Sequence, residues 1–265
     1  KPAYRQHLEI YEPMTFVIAE AGVNHNGSFS HALKLCDAAK DIKADAIKFQ
    51  CFTSKKLWGD DRIEHLELSD AEFVNIAWHC KDIGLEFMAT PFDPQAVAFL
   101  QHLGVRRMKI ASGCINRWEI LDAIDPKLPV LLSTGMSRWD EIQLAINRLD
   151  NPLTLLHCTS EYPCQPENVN LLAIETLKEF GYPVGFSDHT DNEFCAVAAV
   201  ALGATVVEKH FTLDRTQEGP DHLSSLDPVG FYRMVSAIRY VEQSLGDGIK
   251  RVMPGEQALR KVWGR

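Results

Sequence analysis

The chain has 265 residues, of which 46% are hydrophobic and 24% charged, and its formal net charge is −9. This composition is typical of a globular protein that could form one barrel-sized domain or two smaller ones. The negative charge and the lack of an apolar run of roughly 18 residues argue against nucleic-acid-binding and membrane-spanning proteins, although a local basic pocket could still bind a small anion.

Short runs rich in β-branched and aromatic residues alternate with longer segments of helical spacing along the chain. The short runs predict buried strands and the longer segments predict covering helices, so the alternation indicates a parallel sheet between helices. In chain order, the predicted strands are 16–20, 45–50, 85–90, 106–111, 129–134, 153–158, 183–187 and 205–210. Helices are predicted at 30–42, 69–84, 93–104, 139–149, 192–203 and 227–245.

Eight strand–helix units in about 250 residues are the expected content of a (β/α)8 TIM barrel of the α/β class. No linker rich in Pro, Gly or Ser divides the chain, so we predict one catalytic barrel domain over residues 1–265. A doubly wound open sheet is the alternative fold.

Polar residues stand at or just after the end of every predicted strand, where a TIM barrel carries its catalytic groups. Lysines and hydroxyls from several strands supply the charge and the directed donors that a phosphate group needs. We therefore predict an anion site formed by Lys48, Thr90, Lys109, Ser112, Ser133 and Ser187. For any one of these residues, a hydrogen-bonded polar group at a strand end is the alternative interpretation.

Histidines close the last two predicted strands, in VGFSDHT and VEKHFT. His189 and His210 could offer imidazoles to one divalent ion and leave other positions open for substrate oxygens. Asp188 and Glu208 are candidates for carboxylates that orient these rings. Alternatively, both histidines are packing residues.

The loop EAGVNHNGS after the first strand combines a carboxylate, two asparagines and a histidine. It is either part of the site or an ordinary turn in which Ser28 or Ser30 caps the next helix.

The seven cysteines form no CxxC pair and predict reduced thiols. The first residues lack the pattern of a secretion signal, so we expect a cytoplasmic protein.

Nine segments in this order resemble the sialic acid synthase family, which includes the N-acetylneuraminate, legionaminate and pseudaminate synthases and a spore-coat polysaccharide relative. They are IAEAGVNHNGS, DAIKFQ, ATPFD, KIASG, LLSTGM, LLHCTSEYP, VGFSDHT, EKHFT and GPDHLSSLDP. The resemblance implies a transferase that joins phosphoenolpyruvate to an N-acetylmannosamine-like aldose, giving a nonulosonic 2-keto acid and phosphate. Both substrates are small molecules, no nucleic-acid or membrane partner is implied, and a homodimer is left open.

The resemblance also assigns roles to individual residues. It implies that His189 and His210 hold Mn2+ or Mg2+, which polarises the aldehyde, and that the carboxylate of Glu20 handles protons. The predicted anion site matches the residues that bind phosphoenolpyruvate in the family. Tyr162 and Asp221 match its sugar-lining residues, and we expect Asn24 and Gln50 on the same side.

Two departures from the family pattern concern the acceptor sugar and the length. Cys114 follows KIASG where the family carries a sugar-binding glutamate, so one hydrogen-bond acceptor is missing. The chain ends at RKVWGR, and we expect a barrel without the family's C-terminal antifreeze-like domain. Two other hypotheses remain: a non-catalytic or partner-dependent barrel homologue, and a metal-dependent aldolase or lyase acting on a 2-keto acid.

Overall fold

A computed structural model of the protein describes residues 15–264. Its eight strands form one parallel sheet that curls into a nearly closed barrel covered by helices. The predicted TIM barrel is thus confirmed, and the open doubly wound sheet is wrong. The predicted domain span of 1–265 includes residues 1–14 and 265, which lie outside the described residues.

All eight predicted strands are present, with ends that differ from the predictions by one or two residues. They are β1 Phe16–Gly22, β2 Ala46–Cys51, β3 Glu86–Pro91, β4 Met108–Ile110, β5 Val130–Ser133, β6 Leu153–His157, β7 Val184–Asp188 and β8 Val206–His210. The order around the barrel is β3-β2-β1-β8-β7-β6-β5-β4. β3 and β4 complete the circle by packing side by side.

Six longer helices agree with the predicted segments: α1 Phe29–Asp41, α3 Asp70–Asp82, α4 Pro94–Leu103, α6 Trp139–Arg148, α9 Phe194–Ala201 and α10 Pro228–Leu245. Five short ones were not predicted: α2 Ser54–Trp58, α5 Trp118–Leu121, α7 Pro166–Val169, α8 Ala173–Leu177 and α11 Gln257–Val262. Each of these has four to six residues, too few to show a helical period. Within residues 15–264 no helix has both the length and the apolarity needed to cross a bilayer.

Side-chain caps fix where several of the longer helices begin. The hydroxyl of Ser28 accepts from the backbone N–H of His31, so Ser28 rather than Ser30 is the cap of α1. Asp93 caps α4 by accepting from two backbone N–H groups, and Asp227 caps α10. Each cap satisfies donors that the first helical turn leaves free, and so sets the length of the loop before it.

The barrel interior changes from apolar to polar along each strand. Alternate residues of a strand face the same side of a sheet. At one level the interior is filled by Ile18, Ala46, Met88, Leu131, Leu156 and Val206. Two residues further along β1, β2, β3, β5 and β8, the inward positions carry Glu20, Lys48, Thr90, Ser133 and Glu208. The same alternation that builds the core therefore delivers polar side chains to its C-terminal end.

Candidate active site

A cavity of about 340 Å³ opens at the C-terminal end of the barrel. Its lining residues are Glu20, Lys48, Gln50, Thr90, Phe92, Lys109, Ala111, Ser112, Gly113, Ser133, Met136, Ser160, Tyr162, Ser187, His189, Glu208, His210 and Asp221. Every predicted site residue except Asn24 is among them. The structure thus brings the predicted anion, metal and sugar groups into one space, while their roles stay predictions.

Lys48 lies at the centre of the charged groups and is 2% exposed. Its ammonium nitrogen is 2.6 Å from Glu20 Oε2 and donates to Thr90 Oγ1 at 2.8 Å. Burial works against its charged form, but Glu20 and Glu208 outweigh burial and raise the pKa of Lys48. The lysine is therefore a fixed buried cation.

Glu208 joins this cation to a second one. Its carboxylate is 3.6 Å from Lys48 Nζ and 3.4 Å from Lys109 Nζ, and it accepts from Ser187 Oγ at 2.8 Å. Burial opposes ionisation, but the two lysines outweigh it and hold the pKa of Glu208 at about 2. An ionised carboxylate of the protein thus holds the two ammonium groups together without the help of a bound anion.

The expectation that Glu208 orients a histidine is not supported by these contacts, because the carboxylate faces the lysines. The predicted anion site lacks Glu208, although the alternation of side chains along β8 is a signal for it. Glu208 and His210 are two positions apart on β8, so both face the interior, whereas Lys209 between them faces outward.

Glu20 differs electrostatically from Glu208 although both are buried carboxylates. Burial raises the pKa of Glu20 above its usual value, and Lys48 offsets only part of this rise. Of the two lysines, only Lys48 forms an ion pair with Glu20, whereas Glu208 is paired with both. A carboxyl with a raised pKa is suited to exchange protons near neutral pH.

Two serine hydroxyls of the predicted anion site have different surroundings. Ser112 Oγ accepts from the backbone N–H of Gly135 at 3.0 Å and lies 3.1 Å from Cys158 Sγ. Ser133 Oγ is buried and has no hydrogen-bond partner among residues 15–264. A buried hydroxyl without a partner costs free energy, so Ser133 is a donor available for a ligand.

His189 and His210 lie side by side, with ring centroids 5.6 Å apart. His189 Nδ1 is 2.6 Å from the carbonyl oxygen of Thr159, which can only accept, so Nδ1 carries the hydrogen. Nε2 then has a lone pair that can bind an ion; Ser187 Oγ lies 3.4 Å from it but donates its hydrogen to Glu208. Burial and the neighbouring His210 lower the pKa of His189 to about 3, which keeps the ring neutral. His210 Nδ1 is buried without a hydrogen-bond partner in the described part of the chain.

This donor set fits a divalent ion that takes two imidazoles from the protein. Neutral rings with free nitrogens are the form in which histidine binds metals. Within the described residues no group of three or more His, Cys, Asp or Glu side chains is arranged to hold a metal ion. A bound ion would therefore take its remaining ligands from substrate or water.

Asp188 does not orient either histidine, contrary to the expectation. It follows Ser187 on β7, so its side chain faces the helices, where it is fully buried and lies 3.0 Å from Lys209 Nζ. It also accepts from the backbone N–H of Thr190. The buried Asp188–Lys209 pair therefore joins the ends of β7 and β8 on the side of the sheet that faces the helices.

The predicted sugar side of the cavity lies next to Gly22, whose φ of 53° suits glycine. A Cβ placed there would lie 3.1 Å from Asp221 Oδ2, 3.3 Å from Gln50 Nε2 and 3.4 Å from Glu20 Oε1. Three polar groups thus converge beside a backbone without a side chain. Tyr162 covers the histidines from above, with its ring centroid 4.2 Å from that of His189.

Asn24 is the one predicted site residue that lies outside the cavity. It is fully buried, and its amide nitrogen donates to Phe211 O and Ser225 Oγ, each at 2.9 Å. These bonds join the loops after β1 and β8, so its position does not support the predicted sugar contact. Cys114 is also buried and does not line the cavity, although its neighbour Gly113 does.

Comparison with known proteins gives a consistent result. The sequence model of the NeuB family matches residues 35–250. An uncharacterized protein of Methanocaldococcus jannaschii is 46% identical over 254 residues, which cover 92% of this chain and 75% of that protein. An N,N'-diacetyllegionaminic acid synthase of Legionella pneumophila is 41% identical, covering 93% of this chain and 78% of that protein.

A solved structure is similar over nearly the whole barrel. It is an N-acetylneuraminic acid (sialic acid) synthetase from Leptospira borgpetersenii serovar Hardjo-bovis in complex with citrate, 35% identical to this chain. The TM-score is 0.88, and the match covers 94% of this chain and 91% of that one.

Proposed function

This chain belongs to the NeuB family, and on that premise we propose that it condenses phosphoenolpyruvate with an aldose to give a nonulosonic 2-keto acid and phosphate. The observation that supports this most is the cavity in which two buried lysines, Glu20 and two histidines meet. The acceptor we propose is an amino sugar of the N-acetylmannosamine type. A cytoplasmic location and a homodimer stay predictions.

Phosphoenolpyruvate carries a phosphate and a carboxylate, and the cavity offers cations and hydroxyl donors for both. We assign this ligand to Lys48, Thr90, Lys109, Ser112, Ser133 and Ser187. Lys48 and Lys109 supply charge in a buried setting, where water screens it little. The unpartnered hydroxyl of Ser133 would gain a hydrogen bond when the anion binds.

His189 and His210 are the residues that would hold a divalent ion, Mn2+ or Mg2+. A bound ion would act as a Lewis acid on the aldehyde oxygen of the acceptor. The hydrogen bond from His189 Nδ1 to Thr159 fixes the ring orientation, and the Tyr162 ring packed against His189 limits water on that side.

We assign proton transfer during the condensation to Glu20. C3 of phosphoenolpyruvate forms the new bond to the aldehyde carbon, and water adds at C2. The new C2 hydroxyl then loses its proton and becomes the keto oxygen as the bond from C2 to the phosphate oxygen breaks and phosphate leaves. The aldehyde oxygen gains a proton and the attacking water loses one, so a carboxyl that both donates and accepts near neutral pH is needed. Glu20 has the raised pKa for this role and lies beside Gln50 and Asp221 on the sugar side.

The test is phosphate release by the purified protein with Mn2+, phosphoenolpyruvate and a panel of N-acylated hexosamines. We expect phosphate only when a suitable aldose is present, together with an equal amount of 2-keto acid product. A folded, Mn2+-loaded sample that releases no phosphate with any aldose would overturn the proposal. Pyruvate formed from a nonulosonic acid, without phosphate chemistry, would instead identify a lyase.

A further inference from the structure

Met136 combines two unusual properties at the mouth of the cavity. It is 73% exposed although it is large and apolar, and its backbone is left-handed with a φ of 60°. A side chain with a Cβ is disfavoured in this conformation, where glycine or asparagine fits better. Such strained residues persist where their surroundings impose the conformation, and they concentrate at ligand sites.

The backbone around Met136 is fixed by the anion side of the site. The N–H of Gly135 donates to Ser112 Oγ at 3.0 Å, and Ser137 Oγ donates to the carbonyl of Gly135 at 3.2 Å. A Cβ on Gly135 would lie 2.6 Å from Ser160 Oγ and 2.8 Å from Ser112 Oγ, so the chain cannot shift toward these hydroxyls. The turn explains the left-handed backbone, but it does not explain the choice of methionine.

The side chain of Met136 is not needed by the barrel either. It belongs to none of the apolar clusters formed by the described residues. What it does line is the cavity. A flexible thioether at a cavity mouth adapts its shape to an apolar ligand group.

Over β3, β4 and β5 the cavity has an apolar wall at its mouth, beyond the polar groups of Thr90, Lys109, Ser112 and Ser133 on or just after the same strands. Phe92 follows β3, Ala111 follows β4 and Met136 follows β5, and all three line the cavity over neighbouring strands. Phe92 is held by Phe52, with the rings edge-to-face and their centroids 6.3 Å apart. The apolar wall is therefore partly rigid, with Met136 as its adaptable member.

The polar wall lies on the other side, over β8, β1 and β2, where Asp221, Glu20 and Gln50 converge on Gly22. A ligand that fits both walls carries hydroxyl groups on one side and an apolar group on the other. The aldehyde that reacts must meet the histidines over β7 and β8, so the apolar group belongs to a more distant part of the sugar.

We propose that Met136, with Phe92, forms the subsite that recognises an apolar substituent of the acceptor sugar, such as an acyl methyl group or the methyl group of a deoxy sugar. This inference rests on the proposed function and specifies its substrate class. Met136 selects between acceptors and takes no part in binding phosphoenolpyruvate or in proton transfer.

The experiment compares Met136→Ala and Met136→Leu with the parent protein and with Leu144→Ala, which removes another exposed apolar side chain, from α6 outside the cavity. Each N-acetylated hexosamine that releases phosphate is paired with its N-formyl analogue, which lacks the methyl group. We expect Met136→Ala to raise the KM for the acetylated sugar roughly five- to tenfold. It should also lower the ratio of kcat/KM for the acetylated sugar to kcat/KM for its formyl analogue. Met136→Leu should largely restore the parent values, and the KM for phosphoenolpyruvate should stay within about twofold throughout.

Met136→Gly separates this role from a structural one. It should raise the melting temperature, because glycine relieves the left-handed strain, and still raise the KM for the acetylated sugar. If the parent releases phosphate and all Met136 variants keep the parent KM and acetyl-to-formyl ratio, the subsite is wrong and the proposed function stands. If the folded parent releases no phosphate with any aldose, both are wrong.

Discussion

The carboxylate of Glu208 lies 3.4 Å from the ammonium nitrogen of Lys109, and both residues are 4% exposed. The proposed phosphoenolpyruvate site thus contains an ionised carboxylate of its own. Without a ligand, that carboxylate offsets the charge of Lys48 and Lys109, which would otherwise repel each other in a buried setting.

We expect Glu208→Gln to destabilise the ligand-free protein by about 3–5 kcal/mol, because it leaves two buried ammonium groups without their shared partner. Inorganic phosphate should then stabilise the variant more than the parent, since the anion replaces the missing charge. Thermal unfolding with and without phosphate measures both effects. The control is Glu175→Gln, which breaks the exposed pair with Lys178 and should change stability by less than about 1 kcal/mol. A Glu208→Gln protein with the parent's melting temperature and phosphate response would contradict this account.

Glu20→Gln should lower kcat by roughly 10²- to 10⁴-fold, the usual contribution of a general acid or base. Binding of phosphoenolpyruvate, measured by calorimetry, should change much less, because the amide oxygen can still accept from Lys48. Glu86→Gln is a matched control, since Glu86 pairs with Arg107 near the opposite end of the barrel. Unchanged turnover in Glu20→Gln would remove this residue from the mechanism.

Removal of divalent metal with a chelator should abolish phosphate release, and Mn2+ should raise the melting temperature of the parent protein. His189→Ala and His210→Ala should each lose most of this Mn2+-dependent shift, since each removes one of two protein ligands. His79→Ala, which removes a partly exposed ring paired with Asp37, should keep it. An undiminished Mn2+ shift in both site variants would place the ion elsewhere.

The strand ends were predictable because side chains alternate along a strand. Glu20, Lys48 and Thr90 lie in or at the ends of apolar runs. In a closed barrel, side chains that face inward at the C-terminal ends of the strands line one shared cavity. The same rule separates Ser187 and His189 from Asp188, and Glu208 from Lys209, whereas a prediction from strand ends alone treats such neighbours as one group. Applied position by position, alternation would have moved Asp188 out of the site.

Asn24 and Met136 show what the sequence could not supply. Asn24 occurs in a polar loop typical of a site, but its amide donates hydrogen bonds to Phe211 and Ser225, which are 187 and 201 positions away in sequence. Met136 gives no sequence signal for a left-handed backbone, because that conformation follows from the packing of Gly135 against hydroxyls on two other strands' loops. Contacts of this kind depend on how the loops meet in space.

Gly185 on β7 is required by close packing inside the sheet. A Cβ at this position would lie 2.6 Å from Val206 O and 2.7 Å from Leu156 Cδ2, so backbone and core would both have to move. We expect Gly185→Ala to reduce the free energy of unfolding by at least about 1–3 kcal/mol. Gly113→Ala meets no atom within 4 Å and should stay within about 0.5 kcal/mol of the parent. Denaturant unfolding distinguishes the two, and equal stability would show that the barrel relaxes more readily than this packing indicates.

The pH dependence of stability should carry a contribution from His25, which is fully buried. Its Nδ1 accepts from the backbone N–H of Gly27 at 3.0 Å, so Nε2 carries the hydrogen, and Nε2 has no hydrogen-bond partner among residues 15–264. Burial, followed by the nearby His31, lowers the pKa of His25 from 6.5 to about 4. Because the unfolded chain binds this proton more readily, stability should fall as the pH drops from about 6.5 to 4, by up to about 3 kcal/mol from this group. In His25→Asn the amide oxygen can accept from Gly27 but takes up no proton, so unfolding free energies measured across this interval should fall less steeply than in the parent. Identical slopes in the two proteins would mean that His25 titrates normally in the folded state.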